Sequence, residues 1–327
     1  MRTFARWTLL AILILATFVL VGCGGEDRSS TATQPPIETK SLKIAVIPVI
    51  DILPLHVADQ EGFFEQLGVD VELVPVKSAQ ERDTLMQTGQ VDGMLTDLLS
   101  PVLFNQKEAQ ITVLRTARKV YPGSPLFSIL ARPGSEIASP LDLAGVDIGT
   151  AQNTVIAYIT ERMLENAGLS ADQISSQEVS AIPVRFELLV NGEIPAATLP
   201  DPLASGAVAA GAVVVVDDTS VPELSQSILA FRTETVQAQP EAVRKFLAAW
   251  EMAVEELNSN PEKYNDLLIE EGRVPESIQG TFRMPPFPEA GVPTPAQLAD
   301  VVEWSIDKGL IEEDIPYERM VDDSYLP

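Results

Sequence analysis

Beyond residue 40 the chain alternates short apolar, β-branched runs with segments whose apolar positions recur at helical spacing. This alternation restricts the fold more than any other feature, because strand–helix–strand units build parallel sheets covered by helices. Residues 42–47 form a β-branched run stopped by Pro48. A helix is predicted over 54–67, with Leu55, Ala58, Phe63 and Leu67 on one stripe and Gly68 as its stop. A strand at 69–76, a helix at 79–88, a strand at 91–95, a helix at 98–105 and strands at 111–116 and 126–131 follow. A second series runs through a helical turn at 141–143, a strand at 146–149 and a strong helix at 154–167, with Ile156, Ile159 and Met163 on one face. It continues with a strand edge at 178–180, a helix at 184–190, a strand at 196–199, a helix at 202–210 and a buried strand at 213–216. Residues 227–231 read as a strand returning toward the first half. Helices are then predicted at 240–258, 261–271 and 295–308, and the stretch MPPFPEAGVPTP is a loop.

Two similar series with a helical tail predict an α/β protein of two lobes. Each lobe is a mostly parallel sheet flanked by helices, and two crossing strands join them. Lobe one takes 41–131 plus 226–327, and lobe two takes 132–225. The 327 residues suffice for two such units. Ligands in sheets of this kind sit beyond the carboxyl ends of strands, and two lobes facing across a hinge form a cleft there.

The first 40 residues do not belong to this pattern. Arg2 and Arg6 precede an uncharged apolar stretch from Thr8 to Gly22, the layout of a secretory signal at 1–22. It ends in Leu20-Val21-Gly22-Cys23, which resembles the bacterial lipobox, so Cys23 is expected to carry a lipid anchor. Residues 23–40 are small, polar and Pro-containing, which predicts a flexible tether.

Charge and rare residues exclude several function classes. Lys and Arg number 22 against 47 Asp and Glu, a net charge of −25. Nucleic acid is not an expected partner, because a phosphate backbone needs a basic face. One Cys and one His rule out a zinc cluster, a thiol redox pair and a disulfide framework by count. No cofactor is expected.

Residues 42–74, LKIAVIPVIDILPLHVADQEGFFEQLGVDVELV, resemble the start of the SsuA/THI5-like (NMT1-type) substrate-binding proteins of ABC importers. Further matches follow in order: Gly89-Gln90-Val91-Asp92-Gly93, Ser139 to Gly145, Leu199-Pro200-Asp201-Pro202 and Gln239 to Phe246. The resemblance covers about 42–310 and implies a type II periplasmic-binding-protein fold. It further implies a monomeric extracytoplasmic lipoprotein that closes on a small solute and delivers it to a permease with a separate ATPase. An enzyme on the same scaffold, such as a pyrimidine synthase, needs an iron-binding Cys cluster that one export-site Cys cannot build. A module that senses a ligand without transport is the remaining alternative.

The candidate ligand contacts lie at loops that open on carboxyl ends. Ile50, Asp51 and Leu53 occupy the loop after the first strand, and His56 falls where the family pattern has an aromatic facing the cleft. Thr96 and Asp97 follow the 91–95 strand, with Asp97 also able to cap the next helix. Ser128 lies in the proposed crossing strand. Gln152, Asn153 and Thr154 precede the 155–167 helix, where free N–H groups and the positive dipole end face the cleft and Asn153 can cap. Asp201 and Pro202 match the family's acidic-Pro motif. Asp51, Asp97 and Asp201 can converge, whereas the nearest basic residues, Arg118 and Arg185, are expected to be exposed. A carboxylate about 4 Å from an anion costs roughly 4 kcal/mol at an effective dielectric near 20. The expected solute is therefore nitrogenous and neutral or cationic, such as an aminopyrimidine-like or vitamin-precursor compound. A sulfonate or nitrate held by helix N-termini is the alternative.

Overall fold

The computed structural model describes residues 41–327, so the signal, Cys23 and the tether lie outside the described residues. The described residues, 41–327, form one compact unit. Ten strands run in chain order: β1 Leu42–Val46, β2 Val71–Pro75, β3 Gly93–Asp97, β4 Ile111–Lys119, β5 Phe127–Ala131, β6 Asp147–Thr150, β7 Ser175–Glu178, β8 Ala196–Pro200, β9 Val213–Asp217 and β10 Gln226–Arg232. They form two five-stranded sheets, ordered β2-β1-β3-β10-β4 and β7-β6-β8-β5-β9. The two-lobed α/β architecture predicted from the alternation is present. In each sheet four strands run in one direction and a single strand, β10 in the first and β5 in the second, lies antiparallel between two of them, so both sheets are mostly parallel as the alternation predicts.

The crossings differ from the expectation. Residues 126–131 read as part of lobe one, but β5 pairs with β8 and β9 in the second sheet. The chain crosses earlier, through Tyr121-Pro122-Gly123-Ser124-Pro125, where Gly123 takes a left-handed φ of 75° and Tyr121 bridges to Ser124. It returns through 218–225 into β10, the strand expected to return toward the first half, which pairs antiparallel with β3 and β4. The crossings are thus short irregular segments, not strands.

Other differences have local causes. The predicted 54–67 helix is broken into Leu53–Gln60 and Phe63–Leu67, because Gly62 sits at φ 72° between them. β9 was expected to be buried, yet Val213 and Val214 are 40% and 41% exposed. It is an edge strand with β5 as its neighbour, so its outer side is open.

The first sheet packs beneath the Pro240–Ser259 helix, whose Phe246, Leu247, Ala249, Trp250 and Ala253 are fully buried beside β1 and β10 residues. A second apolar cluster is continuous between the sheets and includes Leu298, Val301 and Trp304 of the Pro295–Asp307 helix. That helix is also bonded to the Val155–Asn166 helix, through Tyr158 Oη to Asp300 at 2.6 Å, Arg162 Nε to Asp300 at 2.8 Å and Trp304 Nε1 to Glu161 at 2.8 Å. Elsewhere the halves touch where Gly206, on the Leu203–Ala209 helix, meets Pro275. A Cβ at Gly206 would lie 2.6 Å from Pro275 Cγ, a rigid ring atom. Gly206→Ala is therefore expected to destabilise the protein by about 1–3 kcal/mol, since overpacking against a ring forces backbone to shift; urea denaturation showing an unchanged midpoint would contradict this packing.

Candidate functional site

Between the two sheets lies a cleft of about 110 Å³ whose walls come from both. Its charged lining residues are Asp51, Arg82, Asp97, Arg118, Arg185 and Asp201, three carboxylates and three guanidiniums. Five residues anticipated from the sequence stand in this lining: Asp51, Thr96, Asp97, Thr154 and Asp201. The others are placed elsewhere. Ile50 and Leu53 are fully buried in the core of the first sheet, since both belong to apolar turns of the helix entry. His56 faces Glu271, with Nε2 3.6 Å from Oε2, and is not part of the cleft wall. Ser128 is buried within the second sheet between β8 and β9. Gln152 and Asn153 are exposed, and Pro202 is buried behind the lining.

Each acidic residue is fixed by its local backbone. Asp97 ends β3 and accepts from the N–H groups of Leu99 at 3.0 Å and Ser100 at 3.3 Å, capping the Leu99–Phe104 helix. Thr96 Oγ1 donates to Ser100 Oγ at 2.7 Å. Thr154, not Asn153, caps the Val155–Asn166 helix: its Oγ1 accepts from Ile156 N–H at 3.2 Å and donates to the Ala151 carbonyl at 2.7 Å. Asn153 instead occupies a left-handed turn at φ 56°. Asp201 accepts from Ser205 N–H at 3.1 Å and Ser205 Oγ at 2.8 Å, and its own N–H donates to the Leu126 carbonyl of the first crossing. Burial pushes the Asp201 carboxyl above the ordinary carboxylate range, and the Ser205 bonds and the Arg118 charge oppose that push.

The guanidiniums correct the expected charge of the site. Arg118 and Arg185, anticipated at the surface, are 2% and 0% exposed. Arg118 sits near the end of β4, two residues past the strand end read from sequence, and Nη1 donates to Asp51 at 3.0 Å. Arg82, which the sequence reading did not single out, reaches Asp83 at 2.9 Å, Ser100 Oγ at 2.8 Å and Asp97 at 3.4 Å. Arg185 has no carboxylate partner: Nε donates to the Thr198 carbonyl at 2.8 Å and Nη1 to the Val179 carbonyl at 2.7 Å. Burial lowers this guanidinium to about 10. Its stem passes over Gly149 of β6, where an added Cβ would stand 3.4 Å from Arg185 Cγ and 2.8 Å from Ile194 Cδ1. A signal for the buried arginines was present. Arg82 lies four residues before buried Met86, and Arg185 four before buried Leu189, so each shares the inward face of its helix.

The crossings that floor the cleft meet at Asp218, which is fully buried. Its oxygens accept from the N–H groups of Leu126 at 3.1 Å and Phe127 at 3.0 Å and from Ser225 Oγ at 2.6 Å. Burial nevertheless pushes the carboxyl up to about 6, with the hydrogen bonds opposing. Among the described residues no group of His, Cys, Asp and Glu is arranged to hold a metal ion.

A family model described as NMT1/THI5 like matches residues 49–264. A formylaminopyrimidine-binding protein of Halalkalibacterium halodurans is 23% identical over 167 residues, 51% of this chain and 48% of that protein. The nitrate/nitrite binding protein NrtA of Nostoc is 37% identical over 78 residues, 22% of this chain and 17% of that protein. The chain thus spans about half the length of the first relative and less of the second. Among solved structures, the alkanesulfonate-binding protein SsuA of Xanthomonas axonopodis bound to MOPS superposes with a TM-score of 0.72 at 17% identity, over 86% of this chain and 98% of that one. The desulfurization enzyme DSZB shares the fold as well, with a TM-score of 0.67 at 16% identity over 88% of this chain and 97% of that one.

Asp218 yields a test of the crossing. Its folded pKa lies above the unfolded carboxylate value of 3.8, so the folded chain holds the extra proton between those values. The stability this supplies is present at low pH and is lost as pH rises through about 6, by up to about 3 kcal/mol. The expected result is that the fall in unfolding free energy from pH 4.5 to 7 is smaller in Asp218→Asn than in the wild type; equal slopes in urea titrations would contradict the assignment.

Proposed function

The chain belongs to the NMT1/THI5-like family, and on that premise we propose that it is the solute-binding component of an ABC importer. It holds a small compound between its lobes and passes it unaltered to a permease driven by a separate ATPase subunit. The observation that carries this reading is the cleft, whose wall joins Asp51, Thr96 and Arg118 of one half to Thr154, Arg185 and Asp201 of the other. A compound that bonds to both halves favours the arrangement in which they are close, so binding and lobe closure are one equilibrium. The halves in this reading are 41–119 with 226–327, and 127–217, with 120–126 and 218–225 as the hinge.

Transport rather than chemistry is supported by the relatives, which are named as binding proteins, although DSZB shows that the fold also carries an enzyme. The one Cys, at 23, cannot supply a metal-binding cluster. It sits at the lipobox position, which supports an extracytoplasmic protein held at the membrane by an acyl chain and acting as a monomer. Among the described residues no helix is long and apolar enough to cross a membrane, so in this reading the lipid supplies the anchor. The balance of three carboxylates and three guanidiniums in the cleft removes the ground for preferring a neutral or cationic solute, and gives weight to the anion reading.

Mass spectrometry of the compound that co-purifies, followed by a thermal-shift screen, tests the proposal; a protein that neither carries nor is stabilised by any small molecule would overturn it. Asp201→Ala is expected to weaken binding of the co-purified compound about tenfold or more, the scale of one lost hydrogen bond to a buried group, as read by calorimetry. Cys23→Ala is expected to move the protein from the membrane to the soluble fraction on fractionation, and retention in the membrane would exclude the lipid anchor.

A further inference from the structure

Outside the cleft the two halves meet again, where the Pro295–Asp307 helix faces the Val155–Asn166 helix. The first of these belongs to the first half by packing as well as by chain order. Its Leu298, Val301 and Val302 share one apolar cluster with Leu99 and Val102 of the Leu99–Phe104 helix. The segment after it is stitched to β4: Val321 bridges Val113, and the Asp322 N–H donates to the Val113 carbonyl at 3.0 Å. The Val155–Asn166 helix follows β6 and is tied to β8 by the Thr160 and Thr198 hydroxyls, 2.6 Å apart, so it belongs to the second half.

The contact between these helices is reciprocal. Asp300 accepts from Tyr158 Oη at 2.6 Å and from Arg162 Nε at 2.8 Å. Glu161 accepts from Trp304 Nε1 at 2.8 Å and pairs with Lys308 Nζ at 2.7 Å. Each helix therefore presents an aromatic donor, a cation and a carboxylate, and each carboxylate takes the aromatic donor and the cation of the other helix. The spacing makes this possible, because 158, 161 and 162 share one helix face, as do 300, 304 and 308. Each cation also lies over the ring of its own helix, Arg162 over Tyr158 at 5.7 Å and Lys308 over Trp304 at 5.9 Å. The two rings meet edge-on, with centres 5.5 Å apart. Burial and the Asp300 carboxylate push the Tyr158 hydroxyl above its ordinary range, so it remains a donor.

The rings are buried, whereas the charged groups keep part of their surface in water. A half-wet ion pair contributes little alone. The aromatic donors change that, since parting the helices would leave a buried hydroxyl and a buried indole N–H without their acceptors. None of these side chains lines the cleft, so the contact forms without a solute.

We propose that this reciprocal clamp is an interlobe latch: it holds the halves in the arrangement seen here before any solute binds, and thereby sets the resting point of lobe closure from outside the cleft. The inference deepens the reading of a closing receptor and rests on its division into halves. A solute then meets walls that already stand close, and less of its binding free energy goes into bringing them together.

The test is double electron–electron resonance on the full chain with no solute present. Nitroxides are placed at Gln87→Cys in the first half and Glu187→Cys in the second, both exposed and away from the clamp and the cleft lining, with Cys23→Ser so that no third thiol reacts. The parent protein is expected to give one narrow distance. Asp300→Ala and Lys308→Glu are each expected to add a second population, shifting the ratio of the two arrangements roughly tenfold, the scale of one lost hydrogen bond to a charged group. Lys308 is exposed at the helix end, so Lys308→Glu decides the matter if Asp300→Ala does not fold. Exchanging the pair, Glu161→Lys with Lys308→Glu, is expected to restore the single distance, which a mere loss of packing would not allow. A broad distribution in the parent, distances indifferent to both single variants, or a shift that the exchange does not reverse overturns the proposal. No solute enters this measurement, so its failure leaves the solute-receptor reading intact, and that reading fails instead on the co-purification and thermal-shift result.

Discussion

One carboxylate holds together the two places where the chain passes between sheets. Asp218 begins the return crossing and accepts two backbone N–H groups from the end of the outward one, with Ser225 closing over it. Burying a carboxyl opposes its charge, and three donors recover much of that cost. The floor of the cleft inherits its geometry from this tie. Leu126 and Phe127 are held by Asp218 and line the cavity, and the Leu126 carbonyl in turn holds the N–H of Asp201. Asp201 is therefore held from two sides, by the Leu126 carbonyl of the crossing and by Ser205 of its own helix.

The same bookkeeping of buried charge separates the three cleft arginines. A guanidinium in a dry site needs a counter-charge or the site loses stability. Arg82 and Arg118 have theirs from Asp83, Asp97 and Asp51, and so act as structure, orienting the helix cap at Asp97 and the loop at Asp51. Arg185 has polar partners of the right geometry but no charge, and Gly149 beneath it leaves room for its stem. Arg185 is thus a buried cation held in place by backbone dipoles alone.

The fold was legible because its signals are local and repeated. Strand and helix periods, Gly stops at 68 and 168 and the Pro-rich loop at 284–295 each report one element, and their alternation gives the α/β class. What was missed depends on a single residue's environment. Gly62 splits a helix that periodicity alone reads as continuous, and the Pro-Gly turn at 122–123 marks a crossing that strand propensity hid. For the site, the acidic caps Asp97 and Asp201 were readable because a cap is defined by the chain around it. Ile50, Leu53 and His56 sit in a helix entry whose inward side is core, so a position inferred from a family pattern lost to local packing. The arginines were hidden by a sound generalisation, that long charged side chains stay exposed. Their register with Met86 and Leu189 was the contrary sign.

The Pro295–Asp307 helix explains why the cleft has the walls it has. The Leu99–Phe104 and Val155–Asn166 helices both begin at the cavity, at the caps Asp97 and Thr154. Both also pack in one apolar cluster with Leu298, Val301 and Trp304. Asp300 accepts from Tyr158 and Arg162, and Trp304 meets Tyr158 edge-on with ring centres 5.5 Å apart. A chain segment that belongs by sequence to the end of lobe one thus fixes the helix of lobe two that begins at the cavity. Polar bonds at one rim and the Gly206–Pro275 contact elsewhere bracket the hinge, so the two halves are joined by more than the two crossings. Any closure then has to pivot within these contacts, which favours small rotations.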